Sequence, residues 1–141
     1  MSKPFNVRIY ALLIANHQIL ILREPFMGDI IWKFPGGGLE FGEGTRDCLI
    51  REFREELNLD VEVGEHFYTQ DFFLQSALNA QEQILMIYYK TYPKNLDTFQ
   101  LLDKEIQDFV WRNLDELTAD DVSLSTDKMV VEMLRKELKR G

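Results

Sequence analysis

Residues 35–59 read PGGGLEFGEGTRDCLIREFREELNL, and the way this stretch divides decides the fold. Its first part, rich in glycine, reads as a loop in which Gly36, Gly37 and Gly38 let the backbone approach a ligand closely or adopt positive φ. Its second part reads as a helix. Thr45 is the candidate cap, leaving Glu43 and Gly44 in the loop before it. Leu49, Ile50, Phe53 and Leu57 recur at helical spacing and define a buried stripe about 100° wide. Glu52, Glu55 and Glu56 stand at i, i+3 and i+4 on an adjacent face, neighbours roughly 5–6 Å apart. A solvated acidic face is the commonest fate of such a helix. Three carboxylates that close also repel, and a hard divalent cation such as Mg²⁺ or Mn²⁺ relieves the repulsion through oxygen ligands. The glycine loop at a fixed distance before the acids favours the second reading.

Taken together, Gly37, five residues, Glu43, seven residues and Arg51-Glu52-Phe53-Arg54-Glu55-Glu56-Leu57-Asn58-Leu59 resemble the Nudix box, which marks hydrolases of nucleoside diphosphates linked to another group. Two positions depart from the pattern. Asn58 stands where the box has glycine, and asparagine is the next best residue for a left-handed helix cap. Phe53 replaces an aliphatic residue and enlarges the buried face. Every acid of the box is present.

The resemblance implies an α/β Nudix fold, a mixed β-sheet sandwiched between helices. It implies Mg²⁺, or Mn²⁺, held by Glu52, Glu55 and Glu56 with the Gly37 carbonyl, where the metal would neutralise a diphosphate and acidify a water. A carboxylate then takes the proton, and Glu52, Glu55 and Glu105 all remain candidates. Arg51 is implied to be structural, tying the glycine loop through Glu43 or another loop acid. On the substrate side the residues are Arg23, Trp32 and Lys33. Arg23 is read either as a substrate contact or as a surface residue paired with Glu24, and Trp32 either as core or as the wall of a base pocket.

At 141 residues the chain reads as one domain, with 45% hydrophobic and 28% charged residues, ordinary for a soluble globular protein. A formal charge of −8 argues against a nucleic-acid polymer as partner but admits a small phosphorylated substrate bridged by metal ions. Cys48 has no partner for an internal disulfide and fits a reducing cytoplasm; its place in the helix reads as packing. No stretch reads as a signal peptide, and the apolar run from Ile9 to Ala15 is too short to span a membrane. A homodimer is compatible with this composition.

Elsewhere, Val7–Ala15 and Gln18–Leu22 read as strands joined by Asn16-His17, Glu24–Ile31 as a loop, and Trp32–Phe34 as a short strand. Val61–Leu74 reads as a strand broken at Gly64-Glu65, Ser76–Gln81 as a loop, and Gln83–Tyr92 as a long buried strand, with Glu82 at its start a weak extra metal candidate. Pro93–Leu102 reads as a loop over the site, with Glu105 beyond it; Asp103 and Asp108 are its rivals as the acid that reaches inward. The last helix, Ser123–Lys139, is expected to be capped by Ser125 and to bury Met129, Val130, Met133, Leu134 and Leu138.

No substrate signature stands on either side of the box. The proline that ADP-ribose-type members carry downstream has no counterpart between Val61 and Tyr92, which favours a nucleoside triphosphate cut to monophosphate and pyrophosphate. An ADP-ribose or nucleotide-sugar pyrophosphatase, and a Nudix domain that senses nucleotides without catalysis, are the alternatives.

Overall fold

The computed structural model describes residues 4–141. Two apolar runs near the N-terminus form the centre of its sheet. Strands β1 (Phe5–Ala15) and β2 (Gln18–Phe26) meet at Asn16 and His17, whose φ angles of 52° and 60° are the left-handed pair a two-residue hairpin demands. Both strands bury both faces. Tyr10, Leu12, Ile19 and Ile21 enter one core, and Ile9, Ala11, Leu13, Leu20 and Leu22 enter the other. Double burial explains why these runs are continuously apolar and do not alternate.

Four further strands pair directly with these two. β3 (Asp29–Lys33) pairs with β2, while β4 (Gly36–Gly38) lies antiparallel to β1 with Ile9 opposite Gly37. Helix α1 (Thr45–Leu57) then leads to β5 (Val61–Thr69), which pairs with β6 (Gln83–Pro93). β6 runs parallel to β1, from Phe5 opposite Gln83 to Leu13 opposite Thr91. β7 (Asp108–Asn113) covers β2, and α2 (Ser125–Arg140) ends the chain. The strand path is β3-β2-β1-β6-β5, with β4 on β1 and β7 on β2. Cys48, Leu49, Phe53 and Leu57 of α1 pack on one face of the sheet, and Val130, Val131 and Leu134 of α2 pack on the other. The architecture is therefore α/β, a mixed sheet between two helices. Burying Phe53 to 1% exposure contributes about 2–3 kcal/mol, so the larger residue at that box position adds to the core.

Several local expectations change. Gly44, not Thr45, is the N-cap of α1, and its N–H donates to the Asp47 carboxylate at 3.0 Å; the Thr45 hydroxyl instead meets Tyr89 Oη at 2.7 Å. Residues 24–31 are not a loop. β2 continues to Phe26, turns at Met27 and Gly28 with φ of 52° and 89°, and returns as β3. Pro25 is tolerated because β7 stops opposite Arg23, so no strand on that side asks Pro25 for a donor. β5 ends at Thr69 and not at Leu74; its register shifts between Val63 and His66 mark the bulge that Gly64-Glu65 suggested. In α2 the cap is Leu124, and the buried stripe is Thr126, Asp127, Val130, Val131 and Leu134, with Met129, Met133 and Leu138 partly exposed. The stripe rotates because Asp127 is drawn inward, accepting hydrogen bonds from Tyr88 Oη and the Phe34 N–H.

Candidate active site

The glycine loop is shaped by what lies against it. Gly36 has φ of 149°, and a Cβ there would sit 2.1 Å from the Ile9 carbonyl oxygen. At Gly37 a Cβ would meet the Glu52 carboxyl carbon at 2.5 Å. Glycine is required at Gly36 for the close approach of β4 to β1, while at Gly37 a side chain would displace the Glu52 carboxylate. The Gly37 carbonyl lies 4.0 Å from Cys48 Sγ on α1.

Arg51 ties the loop to the helix. Its Nε and Nη2 donate to the two Glu43 oxygens at 3.0 and 2.7 Å, its Nη2 also to the Gly38 carbonyl at 3.1 Å, and its Nη1 to Glu52 at 2.9 Å and Glu55 at 3.2 Å. A planar guanidinium makes this two-pronged pairing in a way lysine cannot. The hydrogen bonds from Arg51 hold the Glu43 carboxyl down at about 2. Burial, with the charges of Glu43 and Glu52, pushes the Cys48 thiol up to about 12, so Cys48 fills space and is no nucleophile.

Beside this knot lies a polar cleft of about 210 Å³. Glu52, Glu56, Glu105 and the Gly36–Gly38 backbone line it, together with Arg8, Glu24, Pro25 and Asp103. Burial first, then the neighbouring Glu52 carboxylate, pushes the Glu56 carboxyl up to about 9. Asp103 and Glu105 reach the cleft because the carbonyls at the end of α1 capture the chain that carries them. The Gln100 N–H donates to Leu57, and the Leu102 and Asp103 N–H groups donate to Glu56. These are the carbonyls a helix C-terminus leaves without partners. Asp103 Oδ1 in turn accepts from the Glu105 N–H at 2.9 Å.

Among the described residues, no three His, Cys, Asp or Glu side chains form a metal-holding cluster. Glu52 and Glu56 converge, whereas Glu55 is 59% exposed and turned to Arg51. The donors that do converge are all oxygens, and the two carboxylates disfavour each other's charge as a cation between them would not. That donor set fits a hard divalent ion. Glu82 is not in the cleft; its Oε1 faces Asn6 Nδ2 at 3.5 Å.

Of the three substrate-side residues none lines the cleft, though Lys33 lies buried behind its wall. Arg23 is exposed, and the partner of Glu24 is Lys33 at 2.8 Å, not Arg23. Lys33 is buried, also donates to the Phe34 carbonyl at 2.9 Å, and sits 4.6 Å from the centre of the Tyr10 ring. Trp32 exchanges hydrogen bonds with Ser123 and lines a separate cavity with Phe109 and Arg112. Arg8 and Glu24 carry no local sequence signal, since strand pairing brings them to the cleft; Asp103, named above as a rival of Glu105, lines it alongside Glu105. Across Phe26, whose ring centre is 5.2 Å from the Arg8 guanidinium of the cleft, lies an apolar pocket of about 350 Å³ walled by Phe26, Ile31, Leu74, Ile84 and Met86, with Ser123 and Thr126 at the start of α2.

Fold and box define a class. The family model described as NUDIX domain matches residues 4–133, and the chain belongs to the Nudix family as a Nudix hydrolase. It is 37% identical over 60 residues to a CTP pyrophosphohydrolase of Escherichia coli, a match covering 41% of this chain and 44% of that protein, less than half its length. It is 31% identical over 101 residues to the nucleoside triphosphatase NudI of Escherichia coli, covering 69% of this chain and 72% of that one. A crystal structure of a NUDIX hydrolase from Nitrosomonas europaea superposes with a TM-score of 0.78 at 17% identity, over 100% of this chain and 76% of the other. At that identity the likeness concerns the fold alone.

Proposed function

We propose that this Nudix hydrolase cleaves a nucleoside triphosphate to monophosphate and pyrophosphate with the help of a divalent cation. One observation carries the reading. An acid-lined cleft of about 210 Å³ adjoins an apolar pocket of about 350 Å³, a pairing suited to a ligand with a polyanionic end and a flat apolar end. The relatives described as a CTP pyrophosphohydrolase and a nucleoside triphosphatase support the triphosphate over a nucleotide sugar.

In this reading Glu52 and Glu56 hold the cation, with the Gly37 backbone beside them and Glu55 as a ligand only if it leaves Arg51. A bound Mg²⁺ or Mn²⁺ would supply positive charge against the diphosphate and acidify a water. Arg51 and Glu43 keep the loop against α1, so the carboxylates are positioned before substrate arrives. Glu105 forms no ion pair among the described residues and lines the cleft, which makes it the base best placed to take a proton at its carboxylate. Glu24, fixed by Lys33, adds negative charge on the far wall.

The test is a panel of nucleoside triphosphates, ADP-ribose and nucleotide sugars incubated with protein and Mg²⁺, with products separated by chromatography. Monophosphate and pyrophosphate from a triphosphate are expected. Orthophosphate as the product, or turnover of nucleotide sugars alone, would replace this reading.

A further inference from the structure

Arg8 stands on β1 where the acid cleft meets the apolar pocket. Its guanidinium lies 5.2 Å from the centre of the Phe26 ring, a wall of the apolar pocket, and 5.6 Å from that of Tyr10. Its Nε donates to Tyr10 Oη at 2.6 Å. The two rings and this bond fix the plane of the group. Neither terminal nitrogen has a hydrogen bond or an ion pair among the described residues, and neither is sealed from solvent. The acids nearby are engaged with other cations, Glu24 with Lys33 and Glu52 with Arg51. Among the residues lining the cleft, Arg8 is the one cation.

Tyr10, Glu24 and Glu52 favour the charged guanidinium, and its terminal nitrogens keep their donors free at a cleft that it lines. We propose that Arg8 binds the phosphate attached to the nucleoside, its two terminal nitrogens donating to two phosphate oxygens. This rests on the reading of the two cavities as one nucleotide site. A base in the apolar pocket and a pyrophosphate group among the acids place the first phosphate between them, beside Arg8. Paired N–H donors of one guanidinium match two oxygens of one phosphate. Arg8 then determines specificity for nucleotides over nucleosides and sets which anhydride bond lies among the acids.

The experiment compares binding of nucleoside monophosphates and the matching nucleosides, in chelator and without added metal, to the wild-type protein, Arg8→Gln, Arg8→Lys and Tyr10→Phe. Wild-type protein should bind the monophosphate more tightly than the nucleoside. Arg8→Gln should weaken the monophosphate about tenfold or more, the scale of one charge-assisted hydrogen bond, and leave the nucleoside unchanged. Arg8→Lys should recover part of the loss. Tyr10→Phe keeps the charge but frees the plane, so its loss should be smaller, and melting curves check that each variant folds. In turnover Arg8→Gln should raise KM more than it lowers kcat. Equal weakening of nucleoside and monophosphate would reduce Arg8 to a support of the pocket wall and overturn the proposal, as would unchanged monophosphate binding. If no triphosphate is hydrolysed yet monophosphate binding depends on Arg8, the hydrolytic reading falls and the phosphate site stands. If triphosphates are hydrolysed and Arg8→Gln changes neither KM nor binding, this inference alone falls.

Discussion

Glu55 and Glu56 are adjacent in sequence and differ in every physical respect that matters. Glu56 is half-buried beside Glu52 in the cleft, and Glu55 is mostly exposed and held by Arg51. A charge removed from Glu56 is removed from the proposed cation, whereas one removed from Glu55 leaves Arg51 with Glu43 and Glu52 still bound. Glu56→Gln should therefore lower both Mg²⁺ affinity and kcat by more than Glu55→Gln does. Glu105→Gln should behave differently again. Its carboxylate forms no ion pair among the described residues, so its loss should reduce kcat by about 10² or more, as for a lost general base, while Mg²⁺ affinity stays near wild type. Steady-state kinetics with a metal titration separates the three. Equal losses in Glu55→Gln and Glu56→Gln would mean that Glu55 leaves Arg51 in the working enzyme.

At the scale of elements, α1 was legible because everything that makes it is local. Stripe, acids and end all lie within residues 44–59. Asn58 closes the helix at φ 53°, ψ 39°, in the left-handed region, and its N–H meets the Phe53 carbonyl. What surrounds the cap was not legible. Asn58 Nδ2 donates to the Thr98 carbonyl at 3.0 Å and the Thr98 hydroxyl returns to the Asn58 carbonyl at 2.8 Å, across 40 positions of chain. The residues that complete the cleft escaped reading for the same reason. Arg8 is placed by its register opposite Gly38, and Glu24 by a hairpin that Pro25 and Gly28 made look like a loop. The cap joins these two scales, and its mutation tests both. Asn58→Gly trades the Thr98 contact for easier left-handed geometry, so stability should stay within about 1 kcal/mol. Asn58→Val places a β-branched residue at positive φ and loses the contact as well, so it should cost about 2 kcal/mol or more. Because the loop latched to α1 carries Glu105, Asn58→Val should also lower turnover. A silent Asn58→Val in both melting and activity would mean that the helix end rearranges without strain.

At the scale of the whole molecule, an excess of acids is gathered into one cleft of a chain whose formal charge is −8. Among the described residues, no helix is long and apolar enough to cross a membrane. Facing Glu56 are the Glu52 and Glu24 carboxylates and the Lys33 ammonium, and burial with the two acids outweighs the lysine. A carboxyl raised from 4.5 to about 9 binds a proton in the folded state that the unfolded chain has released. Its stabilising contribution is full below pH 4.5 and is lost as pH rises through 9. Without metal, the melting temperature should therefore fall between pH 6 and pH 9, and Glu56→Gln, which carries no proton to lose, should flatten that fall. A divalent cation needs the ionised form, so the stabilisation by Mg²⁺ should grow over the same range. At one hundred times its Kd the ion adds about 2.7 kcal/mol, a rise of roughly 5–10 °C for a chain of this size. Sodium chloride at matched ionic strength should give less, since screening does not replace a ligand. Chelator should abolish hydrolysis and reverse the Mg²⁺ shift together. A Mg²⁺ shift that is the same in Glu56→Gln, or the same at pH 6 and pH 9, would place the ion somewhere other than between Glu52 and Glu56.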